Sequence, residues 1–376
     1  MGTPPVSDGP RVGLLFGGRS VEHEVSVVSA RGVAAAMAST SLRLVPIAVT
    51  ESGQWLDPER SREILESDAA RAETGTGDDG SRVLLDTGGG GLMRARAGAR
   101  LQPLEIDALF PLVHGWGGED GRLQGALELA GIPYVGAGVL GSSLGMDKAA
   151  AKRVFEACGL PVVPWTEVRE CDYAADAGAE QRRVVDLLEP PWFVKPANGG
   201  SSVGISRVLA AAGLGRALEK ALEHDRKVVV ERGVDAREIE CAMLGNDKPE
   251  ASGLGEIVPS REFYDYAAKY VDGTSELRIP ASLDETWTER LRAASLDAFR
   301  ALDLCGMARV DFLLRRDGGA FFVNEVNTLP GFTPISMYPK LWEAAGLSYP
   351  DLIERLVELG RRQATRRAGL RSRRAG

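Results

Sequence analysis

Cysteine and histidine are scarce, with four and three residues respectively among 376. Cys158, Cys171, Cys241 and Cys305 form no C-x-x-C pair, so neither a disulfide framework nor a zinc site is expected. No apolar run reaches the roughly eighteen residues that a transmembrane helix needs. Residues 1–10 lack the basic stretch and apolar core of a secretory signal. They read as a disordered lead-in, which leaves the cytoplasm as the expected compartment. Excess positive charge is also missing, and a net charge of −8 argues against a nucleic-acid-binding body. The exception is an arginine cluster at 361–374. Without aromatic or apolar anchors, it reads as a solvated, fraying helix end rather than an arm for nucleic acid or membrane.

What is present is ordinary globular material, 44% hydrophobic and 26% charged, long enough for two or three domains. An apolar run at 11–16 meets Gly17-Gly18-Arg19-Ser20, and an amphipathic segment follows to residue 37. Strand, glycine turn and helix open a doubly wound α/β domain, whose ligands collect at the strand C-terminal ends. Gly-Gly-x-Ser is not the dinucleotide fingerprint. Glu22 and Glu24 suit the positive end of the helix dipole, and the functional alternative is that a carboxylate at this strand end, Glu22, holds a substrate ammonium. Further strands are expected at 42–49 and 106–113, with a hairpin excursion at 51–57. Between the strands, residues 67–100 read as a variable insertion with at most one hairpin near Val83-Leu84-Leu85. His114-Gly-Trp-Gly-Gly-Glu119-Asp120-Gly121 is a glycine-rich loop at a strand end, which lets backbone approach a ligand. A helix at 124–130 and a short strand at 133–136 complete a first domain spanning 11–142.

A central unit, 143–236, starts with an alanine-rich helix at 149–158, followed by a strand from 161 and an acidic connector at 169–181. The strand 192–196 leads into Ala197-Asn-Gly-Gly-Ser201-Ser202-Val-Gly204. This small-residue loop beside Lys195 is either a hairpin turn or a cover for phosphates; it is not a Walker A motif. A helix at 209–222 precedes strand 227–231, which Glu231 closes. Glu238 and Glu240 lie on the next strand, and such acids serve either as exposed edge charges or as acceptors for adenine and ribose. A third unit, 237–362, holds the aromatic loop 256–272, read as packing or as a lid, and helices at 285–302 and 349–362. A basic disordered tail, 363–376, is expected to follow.

The densest chemistry lies at 306–314 and 320–327, two expected strands joined by the turn Arg315-Arg316-Asp317-Gly318-Gly319. A hairpin centred near Gly318 sets Asp311 opposite Glu325 and Arg309 opposite Asn327. Residues i and i+2 of a strand share a face, so two carboxylates, an amide oxygen and a guanidinium converge. Facing carboxylates destabilise a sheet unless a cation lies between them, and hard oxygen donors suit Mg²⁺.

In this order, Gly17-Gly-Arg-Ser-Val-Glu-His-Glu-Val-Ser26, the loop 114–121, Met146-Asp-Lys148, Val194-Lys-Pro196 with Gly200-Ser-Ser-Val-Gly204, Phe263-Tyr-Asp-Tyr-Ala-Ala-Lys-Tyr270 and Asn324-Glu-Val-Asn-Thr-Leu-Pro-Gly331 resemble the ATP-grasp enzymes, specifically the D-alanine:D-alanine ligases. The resemblance covers about residues 11–360. It implies a three-domain ATP-grasp fold, α/β with α+β in the ATP-grasp part and a Rossmann-like parallel sheet in the N-terminal domain. It implies ATP and two Mg²⁺ or Mn²⁺ ions, the metals on Asp311, Glu325 and Asn327, and a homodimer through the first domain. The implied reaction phosphorylates one D-alanine, whose acyl phosphate is then attacked by the amine of a second. Glu22 would bind the first ammonium, linked to Ser201 and Tyr270, and Arg309 and the Gly331 N–H would stabilise the oxyanion. His114, Ser336 and Met337 would contact substrate. Lys148, Lys195 and Lys269 would hold phosphates, with Ser201, Ser202, Glu231, Arg232, Val234, Glu238, Phe263, Asn324 and Glu325 completing the nucleotide site. Two departures from relatives stand out: Pro196-Ala-Asn-Gly lacks an arginine often found there, and Arg232 stands where lysine is common. The open alternatives are ligation of D-lactate or D-serine, another ATP-grasp carboxylate–amine ligase, and a nucleotide-binding regulator without catalysis.

Overall fold

The computed structural model describes residues 9–67, 80–96, 98–258 and 276–370. The aromatic loop with Phe263, Lys269 and Tyr270 therefore lies outside the described residues, as do most of the lead-in and the end of the tail.

The chain opens with a parallel sheet. Strand β1 (Arg11–Gly17) is flanked by β2 (Arg43–Val49) and β6 (Ala108–Pro111), in the order β2-β1-β6. β1 reads RVGLLFG and its last six residues are buried, as expected of a central parallel strand covered on both faces. The turn after it leads into helix α1 (His23–Met37). Gly17 and Gly18 have φ of +89° and +106°, a backbone that glycine adopts without Cβ cost. Ser26 Oγ accepts from the Gly17 N–H at 2.7 Å and donates to the Leu112 carbonyl at 2.6 Å, pinning that turn to the end of β6.

The described part of the insertion holds more regular structure than its composition implies. β3 (Arg82–Asp86), β4 (Gly91–Ala95) and the two-residue β5 (Gln102–Pro103) form a small antiparallel sheet, with glycines 88–91 at its first turn. Helix α2 (Pro58–Glu66) was not legible in advance; Asp57 caps it by accepting from the Glu59 and Arg60 N–H groups. Residues 133–136 contribute only a bridge, Leu109 to Tyr134, instead of a strand.

The middle of the chain builds the sheet β7-β10-β8-β9 from Trp165–Arg169, Lys227–Arg232, Trp192–Pro196 and Ser206–Val208. The expected connector at 169–181 is instead helical, over Glu170–Ala175 and Ala177–Leu187. Asp176 caps the second of these helices and Val184 is its buried residue. The last sheet is antiparallel, β13-β12-β11-β14-β15, with β11 (Ala236–Gly245), β12 (Glu250–Val258), β13 (Glu276–Arg278), β14 (Gly306–Arg315) and β15 (Phe321–Asn327). Helix Glu285–Ala301 covers it through Leu291, Ala298 and Phe299.

Two further corrections concern the end of the chain. Helix Met337–Ala344 was not foreseen, and its Tyr338, Leu341 and Trp342 pack into the same core as Phe16, Val27 and Phe110 of the first sheet. The final helix, Tyr349–Gly369, continues well past the expected end at 362. Residues 363–369 are thus not a disordered tail. Arg367 stacks on the Tyr134 ring and pairs with Glu128 at 2.9 Å, and Arg366 pairs with Asp247.

Candidate active site

Strand ends from all three main sheets meet at a cavity of about 1640 Å³. Its floor is the β14–β15 hairpin, paired as the position of Gly318 implies: Arg309 faces Asn327 and Asp311 faces Glu325. Towards the tip the register changes by one, with Phe312 opposite Val323, so Asn324 is the extra residue of a β-bulge. A bulge re-aims side chains locally, and Asn324 and Glu325 both line the cavity although they are adjacent. Arg309 grips Asp311 with two bonds of 2.7 Å, and its Nε also lies 3.0 Å from Glu240 Oε2 on β11. Asn327 Nδ2 donates to Asp311 at 2.9 Å. Burial disfavours the Arg309 cation, but Asp311 and Glu240 outweigh that penalty and keep it charged.

A second group lies where β1 and β6 end. The Glu22 carboxylate, 8% exposed, accepts from Ser201 Oγ at 2.5 Å, which ties the small-residue loop to the first sheet. Gly115 and Gly200 leave room for it, since a Cβ on either would come 2.7 or 3.1 Å from Glu22 Oε2. Ser201 and Ser202 hold φ of 49° and 61°, a left-handed backbone that costs energy for non-glycine residues and tends to mark ligand clamps. His114 is buried with Nδ1 3.1 Å from the Leu329 carbonyl, while its Nε2 has no hydrogen-bond partner among the described residues. Burial holds its pKa below the usual imidazole value.

At the opposite end, Lys148 Nζ donates to the Gly199 carbonyl at 2.6 Å. Glu231 sits between Lys195 Nζ at 2.7 Å and Lys152 Nζ at 2.9 Å. Burial favours its neutral form, but the two cations overcome that and hold its pKa down to about 2.

Residues 11–137 match the model of the D-ala D-ala ligase N-terminus, and residues 154–358 match that of the D-ala D-ala ligase C-terminus. The chain belongs to the D-alanine–D-alanine ligase family. It is 46% identical over 355 residues to the D-alanine--D-alanine ligase of Chloroherpeton thalassium, covering 93% of this chain and 95% of that one. It is 47% identical over 360 residues to D-alanine--D-alanine ligase A of Chromobacterium violaceum, covering 93% and 94%. Among solved structures, the Coxiella burnetii D-alanine-D-alanine ligase superposes with a TM-score of 0.80 at 33% identity, covering 96% of each chain. VanG D-Ala:D-Ser ligase from Enterococcus faecalis also gives 0.80, at 32% identity, covering 94% of this chain and 100% of that one.

Most residues singled out from the ligase motifs line the one cavity: Glu22, His114, Lys148, Lys195, Ser201, Ser202, Glu231, Val234, Glu238, Arg309, Asp311, Asn324, Glu325, Asn327, Gly331 and Ser336. Arg232 also borders it but pairs with Glu189 at the surface. Met337 reaches the rim while belonging mainly to the core, 5% exposed. Tyr270, Lys269 and Phe263 lie outside the described residues. Lys152 and Glu119 escaped selection, and Glu240, read as an edge charge or an adenosine acceptor, holds Arg309 instead. Lys152 is 1% exposed on the alanine-rich helix Lys148–Ala157, where a lysine reads as solvated. Glu240 faces Asp311 across β11 and β14, which only strand pairing reveals. Glu119 was legible as part of the glycine-rich loop but carried no signal of its partner.

Proposed function

We propose that this ligase-family chain joins two D-alanines to D-alanyl-D-alanine at the expense of ATP, as a cytoplasmic step towards peptidoglycan precursors. A carboxylate oxygen of the first D-alanine attacks the γ-phosphorus of ATP, the bond from that phosphorus to the bridging oxygen breaks, and ADP leaves. The amine lone pair of the second D-alanine then attacks the carbonyl carbon of the acyl phosphate. The tetrahedral oxyanion collapses as inorganic phosphate departs and the nitrogen loses its proton.

The chain's own residues divide this work. Glu22, fixed by Ser201, binds the first ammonium. Arg309 and the Gly331 N–H meet the developing oxyanion, and fixed donors of this kind act most strongly where water is excluded. A Cβ on Gly331 would stand 3.2 Å from Ser336 Oγ, which supports a close backbone approach there. With the Nδ1–H donated to Leu329, neutral His114 presents Nε2 as an acceptor for a substrate ammonium. Lys148 and Lys195 hold phosphates, and Glu231, Val234 and Glu238 line the adenosine end.

The donor chemistry of the hairpin fits Mg²⁺ or Mn²⁺. Asp311 and Glu325 supply two carboxylates and Asn327 an amide oxygen, whereas no group of three or more His, Cys, Asp or Glu suited to a metal occurs among the described residues. Mg²⁺ is held in this way, by one or two carboxylates with phosphate and water completing its shell. Two such ions would neutralise phosphate charge. The same reading includes a homodimer through the first domain and a division near residues 142 and 236, although helix Val139–Met146 runs across the first of these points.

The observation that carries the reading is the half-buried Arg309, clamped by Asp311 and Glu240 and facing the same cavity as the Glu22–Ser201 pair. Product chromatography with D-alanine alone, then with D-lactate or D-serine as second substrate at neutral pH, tests it. D-alanyl-D-alanine is expected as the main product; a depsipeptide or a D-serine product in its place would refute the assignment.

A further inference from the structure

Glu119 is half-buried in the cavity wall, and both of its carboxyl oxygens bond to backbone. Its Oε2 accepts from the Gly115 N–H at 2.5 Å, and its Oε1 accepts from the Leu329 N–H at 3.2 Å, 210 residues away in sequence. These two backbones belong to different halves of the acyl site. Gly115 is the residue whose Cα borders the Glu22 carboxylate, with φ of +69° and no room for a side chain. Leu329 lies two residues before Gly331. Its carbonyl is held by His114 Nδ1, so both polar groups of one peptide residue are gripped from the loop after β6.

That loop is stiffened from behind. Gln124 Nε2 donates to the Gly118 carbonyl at 2.7 Å, and the Gly117 N–H donates to Asp120 at 2.8 Å. Nature's usual partner for a buried backbone N–H is another backbone carbonyl or a small polar side chain. A carboxylate in that role, close to the second acid Glu22, is electrostatically costly. Burial first, and then Glu22, push the Glu119 carboxyl up to about 8. A residue placed at such expense needs a reason beyond filling space.

We propose that Glu119 is a positioning residue for ligation: by holding Gly115 and Leu329 together it sets the distance between the ammonium-binding Glu22 and the Gly331 N–H. Glu22 and Gly331 come from opposite ends of the chain, and among the described residues the Glu119 side chain bonds to backbone on both sides of that gap. This inference rests on the reading of Arg309 and Gly331 as oxyanion donors. A displacement of even about 1 Å at such a donor costs on the order of 10²-fold in rate, because catalysis depends on near-attack geometry.

The test compares Glu119→Ala and Glu119→Gln with the native chain for turnover, KM for ATP and thermal midpoint, with Arg309→Ala run in parallel. Loss of both acceptors in Glu119→Ala is expected to lower kcat by about 10²-fold while leaving KM for ATP within about twofold, the signature of a contact that matters in the transition state. Glu119→Gln keeps one carbonyl acceptor and is expected to recover about tenfold of that loss at an unchanged midpoint. Native kcat in Glu119→Ala, with Arg309→Ala inactive, overturns this proposal alone; native kcat in both overturns the oxyanion reading with it. Should Glu119→Ala fail to fold, native kcat in Glu119→Gln overturns the proposal. So does a fall in turnover matched by falls in ATP affinity and thermal midpoint.

Discussion

The nucleotide end and the acyl end of the cavity are built on opposite plans. Around Glu231, charge is balanced inside one unit: Lys152, Lys195 and Glu231 lie within 80 residues of one another, on a helix and two adjacent strands. Around Arg309 the groups come from both ends of the chain, and their contacts span 179 residues from Ser201 to Glu22 and 210 from Leu329 to Glu119. The first arrangement can form as that unit folds. The second exists only when the units are docked, so its charges are free to serve chemistry instead of stability.

Four substitutions bear on that contrast, from the largest expected effect to the smallest. Glu231→Gln should mainly cost stability, about 3–5 kcal/mol, because the buried Lys152 and half-buried Lys195 ammonium groups lose their counter-charge. The sign of its pH dependence follows from a folded pKa of about 2 against an ordinary value of 4.5. The carboxylate's stabilising contribution is fully present above the ordinary value and is lost as pH falls towards 2, so the gap between native and variant denaturation midpoints should narrow through that window. A constant gap would mean that the triad is not the source.

Arg309→Ala should do the reverse, abolishing measurable ligation with a loss of at least 10²–10³-fold, about 3–4 kcal/mol, while nucleotide affinity remains measurable. Full activity in that variant removes the oxyanion assignment. Gly115→Ala places a methyl group against Glu22 and strains a positive φ, and should raise KM for D-alanine by about tenfold with a stability cost of about 1 kcal/mol. An unchanged KM would show that Glu22 does not need that space. Arg366→Ala, at the exposed pair with Asp247, should change stability by less than about 0.5 kcal/mol and leave turnover as it is. A larger effect would give the end of the last helix a role that its exposed pairing does not imply.

Local chemistry was the legible part of this molecule. Gly318 between two apolar runs was enough to pair Asp311 with Glu325, and the glycine turns announced the strand ends that carry Glu22 and His114. The bulge at Asn324 was not visible, because one inserted residue leaves the alternation of neighbouring side chains almost intact. The helices at 170–187 were hidden by composition: a polar, alanine-rich stretch with a single buried valine offers little periodicity to read. The final helix was cut short for a similar reason, since Arg366 and Arg367 find partners in Asp247 and Glu128 that no local pattern reveals. Lys152 and Glu119 belong to the same class. Each is an ionisable residue whose place is set by a partner remote in sequence.

The most direct test of the central claim is to follow ADP and dipeptide together as D-alanine is added to the native chain with ATP and Mg²⁺. One ADP released for each D-alanyl-D-alanine formed, with both absent when D-alanine is withheld, is the predicted result. ADP release that ignores D-alanine, or that proceeds without dipeptide, would contradict it.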